Sequence, residues 1–100
     1  MEGIAMHARV ILGKVKHGKQ DEAINIYKEN VVPAAKVQKG FKSMNLLTDM
    51  DTNKFISISI WETEKDMIDS ESSGYLQEQV GKIAGLFVGP PTIQHYVVSH

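Results

Sequence analysis

Lys54-Phe55-Ile56-Ser57-Ile58-Ser59-Ile60-Trp61-Glu62-Thr63-Glu64 is the stretch whose reading decides the fold. Side chains of an extended chain point alternately to two faces. Ile56, Ile58 and Ile60 therefore share one face, and Phe55, Ser57, Ser59 and Trp61 share the other. This alternation predicts a strand over 54–61. Thr63 reads as a helix N-cap, with Asp66 three residues on, in the first turn where a carboxylate is favoured. A short helix is expected over 64–70. Neither face of the strand has the character of a solvated surface.

Upstream, Asp49-Met50-Asp51-Thr52-Asn53 reads as a hairpin loop leading back to a strand over 41–48. Before it, residues 20–38 carry helical spacing, with Ala23, Ile24, Tyr27, Val31 and Ala34 on one apolar face. Pro33 predicts a kink near Val31–Val32, or two shorter helices, and Gly40 stops the run. The β-branched segment 7–16 reads as a first strand, buried on much of both faces. Downstream, Ser72-Ser73-Gly74 breaks the chain before a helix over 75–87, with Leu76, Val80, Ile83 and Phe87 on one side. Gly89-Pro90-Pro91 stops that helix, and a last strand is expected over 92–99. The order is β-α-β-β-α-β, the ferredoxin-like α+β fold: a four-stranded antiparallel sheet with helices on one face. The other face would then lie bare, and an apolar patch of that kind marks an interface. A homodimer with sheets packed face to face is expected, each chain a single domain over 6–100 behind a tail at 1–5.

Composition narrows the function. Among 100 residues, 42% are hydrophobic and 23% charged, an ordinary globular mixture. Eleven Lys and Arg against twelve Asp and Glu leave a net charge of −1, which argues against nucleic acid and against an anionic membrane surface. No apolar run approaches a membrane span. The first residues lack the pattern of a signal peptide, and a cytoplasmic location is expected. With no cysteine, thiolate chemistry and cysteine-ligated metals are excluded.

Two apparent motifs fail on inspection. Gly13-Lys14-Val15-Lys16-His17-Gly18-Lys19-Gln20 approximates a phosphate-binding loop, but Gln20 replaces the hydroxyl that holds Mg²⁺. Asp49-x-Asp51-x-Asn53 imitates a calcium loop, but Lys54 stands where Gly is needed and Ile60 where a bidentate Glu is needed. The histidines His7, His17, His95 and His100 show no paired metal-ligand spacing. His7 and His95 fall on neighbouring strands, where each either reaches a pocket or is simply packed. No metal site and no cofactor is expected.

Val31-Val32-Pro33-Ala34-Ala35-Lys36-Val37-Gln38-Lys39-Gly40-Phe41, a Val-Pro pair followed by Gly and a strand, and Ile56–Glu64, a strand ending in Trp-Glu-Thr, together resemble the antibiotic biosynthesis monooxygenase family of the dimeric α+β barrel superfamily. The resemblance covers about residues 6–99. It implies a dimeric barrel and an enzyme that oxidises quinol-like or anthrone-like aromatics with O₂, using neither metal nor flavin. Of the Asn, Trp and Tyr that face the pocket in anthrone-oxidising relatives, only Trp61 matches; Ser57 and Met67 stand at the other two positions. The haem-degrading branch is not matched either: no Asn lies on the first strand, and Ser70 and Val80 replace its Trp and His. The His-and-Tyr pair of polyketide-cyclising relatives also lacks a counterpart.

Two small hydroxyls beside one indole leave volume rather than fill it. If the helices cover that face, a cavity opens with Ser57 and Ser59 as floor, Trp61 as a wall at its mouth, and Tyr27 and Tyr75 closing it. Such a lining suits a flat aromatic or quinone-like ligand. Trp61 is the expected catalytic residue, with His95 as the available base. Trp61 at a mouth should be only partly buried. The alternative is that these aromatics are plain core, in a non-catalytic dimeric barrel that binds an apolar small molecule.

Overall fold

The structure, a computed structural model, describes residues 5–100, so residues 1–4 of the expected tail lie outside it. Strands β1 (His7–Lys14), β2 (Phe41–Asp49), β3 (Lys54–Trp61) and β4 (Thr92–Val97) pair antiparallel in the order β2-β3-β1-β4. Between β1 and β2 run α1 (Gln20–Ile26), a π turn (Tyr27–Val31) and α2 (Val32–Lys36). Between β3 and β4 run α3 (Glu64–Ser72), α4 (Tyr75–Ile83) and a 3₁₀ turn (Ala84–Leu86). This is the ferredoxin-like α+β fold, with its helices on one face of the sheet.

The helices cover the face that carries the serines. Phe55, Ser57, Ser59 and Trp61 are all buried, whereas Ile56, Ile58 and Ile60 are only half-buried on the uncovered side. Register extends both faces across the sheet. Trp61, Ser59, Ser57 and Phe55 lie opposite His7, Arg9, Ile11 and Gly13 of β1, and Arg9 lies opposite His95 of β4. A bulge between Phe41 and Ser43 brings Phe41 opposite Trp61, so that the two rings meet edge to face at 5.7 Å.

The expected kink at Pro33 takes the form of a π turn. Proline has no N–H to give to the preceding turn, and the Val32 N–H bonds Tyr27 O, five residues back. The extra residue rotates the succeeding helix α2 by most of a helical step. Ala35, not the expected Ala34, is therefore the residue fully buried against the sheet. Thr63 caps α3 as expected, its hydroxyl accepting from Asp66 N–H at 3.0 Å. That helix runs two residues past the expected Ser70, to Ser72. The helix after Gly74 gives way at Ala84 to the 3₁₀ turn, short of the expected Phe87.

β1 also ends early. Val15 leaves the sheet to pair with Phe87, and Lys14 O accepts from Val88 N–H. A side chain at Gly13 would collide with the Phe87 ring, so the bare glycine is what lets that ring lie on the strand. Phe87, Phe55, Tyr27, Val15, Ala23 and Ile83 make the core at this end of the sheet. Trp61, Phe41 and the fully buried Met67 fill the other end. The site lies between them.

Candidate functional site

Ser57 and Ser59 occupy the middle of the covered side of β3, between the rings of Phe55 and Trp61. Ile11 and Arg9 lie beside them on β1, and Leu46 and Met44 on β2. Two hydroxymethyl groups between large rings do not fill the space under the helices, and a cavity remains. Tyr27 and Val31 of the π turn, and Tyr75, Leu76, Gln79, Val80 and Ile83 of α4, line its helix side. The cavity forms a slot between sheet and helices, of about 580 Å³ with its open mouth included.

Its hydroxyls are donors rather than bases. Tyr27 Oη and Ser57 Oγ lie 2.7 Å apart, and burial pushes the Tyr27 phenol up to about 12, against a smaller downward pull from Ser57. Burial also raises Tyr75, partly offset by the Arg9 charge. Both phenols hold their protons near neutrality. Trp61 Nε1–H donates to Ser59 Oγ at 2.9 Å, which leaves the serine O–H free to donate in turn.

Arg9 is the feature that sequence reading missed. It is 2% exposed, with its guanidinium carbon 5.0 Å from the Trp61 ring centroid. Nη1 reaches Met67 O at 3.2 Å, Ser70 Oγ at 2.8 Å and Glu71 Oε2 at 3.1 Å, while Nε is buried with no partner. An unpartnered buried donor costs about 1–3 kcal/mol, more when charged. Gln79 Oε1, an acceptor on the same cavity, is likewise unpartnered. Both had a signal in the sequence. Arg9 is a charge on a strand expected to be buried on both faces, and Gln79 falls three residues after Leu76 and four before Ile83, on the apolar side of α4.

Ser57, Ser59, Tyr27 and Tyr75 all line the cavity. Trp61 does not stand at a mouth. It is 0% exposed, because Phe41 covers one side and Arg9 the other, and it meets the cavity only through Ser59 and Arg9. His95 is 40% exposed and lies outside the lining; its Nε2 sits 2.7 Å from Glu71 Oε2, the carboxylate that also holds Arg9. Among the described residues no three His, Asp or Glu side chains gather as a metal-binding group. No helix among them is long and apolar enough to cross a membrane.

A ferredoxin-like sheet with a cavity between sheet and helices defines the class of fold to which this protein belongs. The sequence profile of the antibiotic biosynthesis monooxygenase family matches residues 6–82, and the chain belongs to that family. A comparison with curated proteins gives no match. Solved structures share the fold at low identity. A Bordetella bronchiseptica protein assigned to the antibiotic biosynthesis monooxygenases superposes with a TM-score of 0.80 at 19% identity, covering 92% of this chain and 95% of its own. SnoaB, a cofactor-independent oxygenase from Streptomyces nogalater, gives 0.73 at 18%, covering 95% and 92%. The monooxygenase from ActVA-Orf6 of Streptomyces coelicolor, in complex with nanaomycin D, gives 0.73 at 19%, covering 96% and 89%.

Proposed function

We propose that this protein is a cofactor-independent monooxygenase acting on an aromatic or quinone-like compound held in the slot. The observation that carries this reading is the cavity itself: mostly apolar, and supplied with hydroxyl donors and one buried arginine. In such a reaction O₂ is the oxidant. A ring methylene becomes a carbonyl with one oxygen atom, and its two hydrogens leave with the other as water. Ser57, Ser59, Tyr27 and Tyr75 would contact the ring. Trp61 and His95, expected as catalytic, enter this reading one step removed. Trp61 positions Ser59 and Arg9, and His95 acts on Arg9 through Glu71. The cofactor-independent oxygenases of this fold support the assignment.

The second reading, a barrel that binds an apolar small molecule without turning it over, is favoured by one feature: among the described residues, no carboxylate or histidine lines the slot to act as base. An oxygen electrode with a panel of quinols and anthrones separates the two. Oxygen uptake matched by oxidised product supports the oxygenase. Calorimetric binding without uptake supports the binder.

We also infer a homodimer through the uncovered sheet face. Val10, Leu12, Ile56, Ile58 and Ile60 run down its centre, and no helix among the described residues covers them. A contiguous apolar strip of this kind is stable when a second copy packs on it.

A further inference from the structure

We propose that the slot selects its ligand as a preformed oxyanion: an acidic enol or phenol that arrives already deprotonated and sets its charged oxygen on Arg9. This rests on the small-molecule reading of the cavity, but not on the oxygenation step.

Three observations converge on it. First, Arg9 is the one charged side chain among the described residues lining the slot, and its buried Nε–H donates to nothing in the protein. A guanidinium presents its N–H groups in a fixed fork suited to an anionic oxygen. Second, the carboxylate that balances it sits on the opposite, Nη1, side and is divided. Glu71 Oε2 is 3.1 Å from Arg9 and 2.7 Å from His95, at the solvent edge where His95 is 40% exposed. No acceptor among the described residues occupies the Nε side.

Third, none of the described residues lining the slot takes up a proton. Tyr27 and Tyr75 keep theirs in this buried setting, Ser57 and Ser59 are ordinary alcohols, and Gln79 is neutral. A ligand that had to be deprotonated inside would find no acceptor. A ligand ionised in water before it enters needs none, and its charge is what the unpartnered donor of Arg9 lacks.

The test is calorimetric binding of lawsone, a hydroxynaphthoquinone ionised at neutral pH, against its O-methyl ether, which has the same rings and no acidic proton. The wild-type protein should bind lawsone at least roughly tenfold more tightly, the size of one charge-assisted hydrogen bond. Arg9→Met should bring the two affinities together. Should Arg9→Met fail to fold, the wild-type protein suffices. Below the ligand's own pKa the preference for lawsone should vanish, while ether binding stays constant. Equal affinities at neutral pH, preference for the ether, or binding of neither would overturn the proposal. Oxygen uptake is read in parallel with the panel of quinols and anthrones, because lawsone itself carries no methylene to oxidise. Preference for the anion without uptake leaves this proposal standing and removes the oxygenase; uptake without preference does the reverse.

Discussion

Trp61 gives its indole N–H to Ser59 Oγ at 2.9 Å, two residues back along the same face of β3. The largest side chain of the sheet thereby fixes the orientation of one of its smallest, and that small hydroxyl floors the slot. Trp61 is the chain's single tryptophan, so its emission reports this spot alone. It should emit at the blue end of the tryptophan range and resist quenching by acrylamide, since the indole is 0% exposed. Trp61→Phe should cost about 1 kcal/mol through the lost hydrogen bond, and Trp61→Ala about 3–5 kcal/mol through the cavity left behind. Urea unfolding checks both. Red-shifted, readily quenched emission would contradict the packing.

The Arg9–Glu71 pair should be the costliest exposed-edge contact to break. Glu71→Ala leaves a guanidinium that is 2% exposed without its carboxylate. Removing one partner of a buried pair costs about 3–5 kcal/mol, and the expected result is a clear fall in melting temperature. Glu71→Gln retains an acceptor for Nη1 and should lose less. Calorimetric melting of the two variants side by side measures the difference.

Alkali should loosen the fold through Tyr27. Its phenol titrates at 10.0 when exposed and at about 12 in the folded chain, because burial disfavours the phenolate. The folded state therefore holds this proton more firmly than the unfolded one. The stability this represents is fully present below pH 10 and is lost as the pH climbs to about 12. Its size is on the order of 2–3 kcal/mol. Tyr27→Phe should flatten that part of the profile, as read by urea midpoints across the alkaline range, at the cost of the bond to Ser57.

Sedimentation should give a mass near twice 11.1 kDa at micromolar concentration. Ile58 lies at the centre of the uncovered face, so Ile58→Lys should yield a monomer or an aggregating chain. Ser59 lies on the helix side, and Ser59→Lys should instead damage the slot and its binding. A well-folded wild-type monomer would rule out the dimer.

Much of this architecture is written in short-range pattern. Alternation over Lys54–Trp61, the Thr63 cap and the stops at Gly40, Gly74 and Gly89-Pro90-Pro91 set the element order, because each is enforced by the local backbone within a few residues. The same period of two placed Ser57 and Ser59 together on one face. What lay beyond the sequence was any question that depends on a second element. Alternation separates two faces of a strand but does not say which one the helices cover. Helical spacing from Ala23 selects Ala34, and only the π turn ahead of Pro33 exchanges it for Ala35. Trp61 is sealed by Phe41, carried into place by a strand bulge, and by Arg9 from a strand some fifty residues away in the chain. Burial of Arg9 in turn requires Glu71 and Ser70 from α3. The local pattern thus determined the elements and their faces, whereas the charge inside the slot was decided by tertiary packing, since a buried guanidinium is stable only where distant carboxylate, hydroxyl and carbonyl groups converge on it.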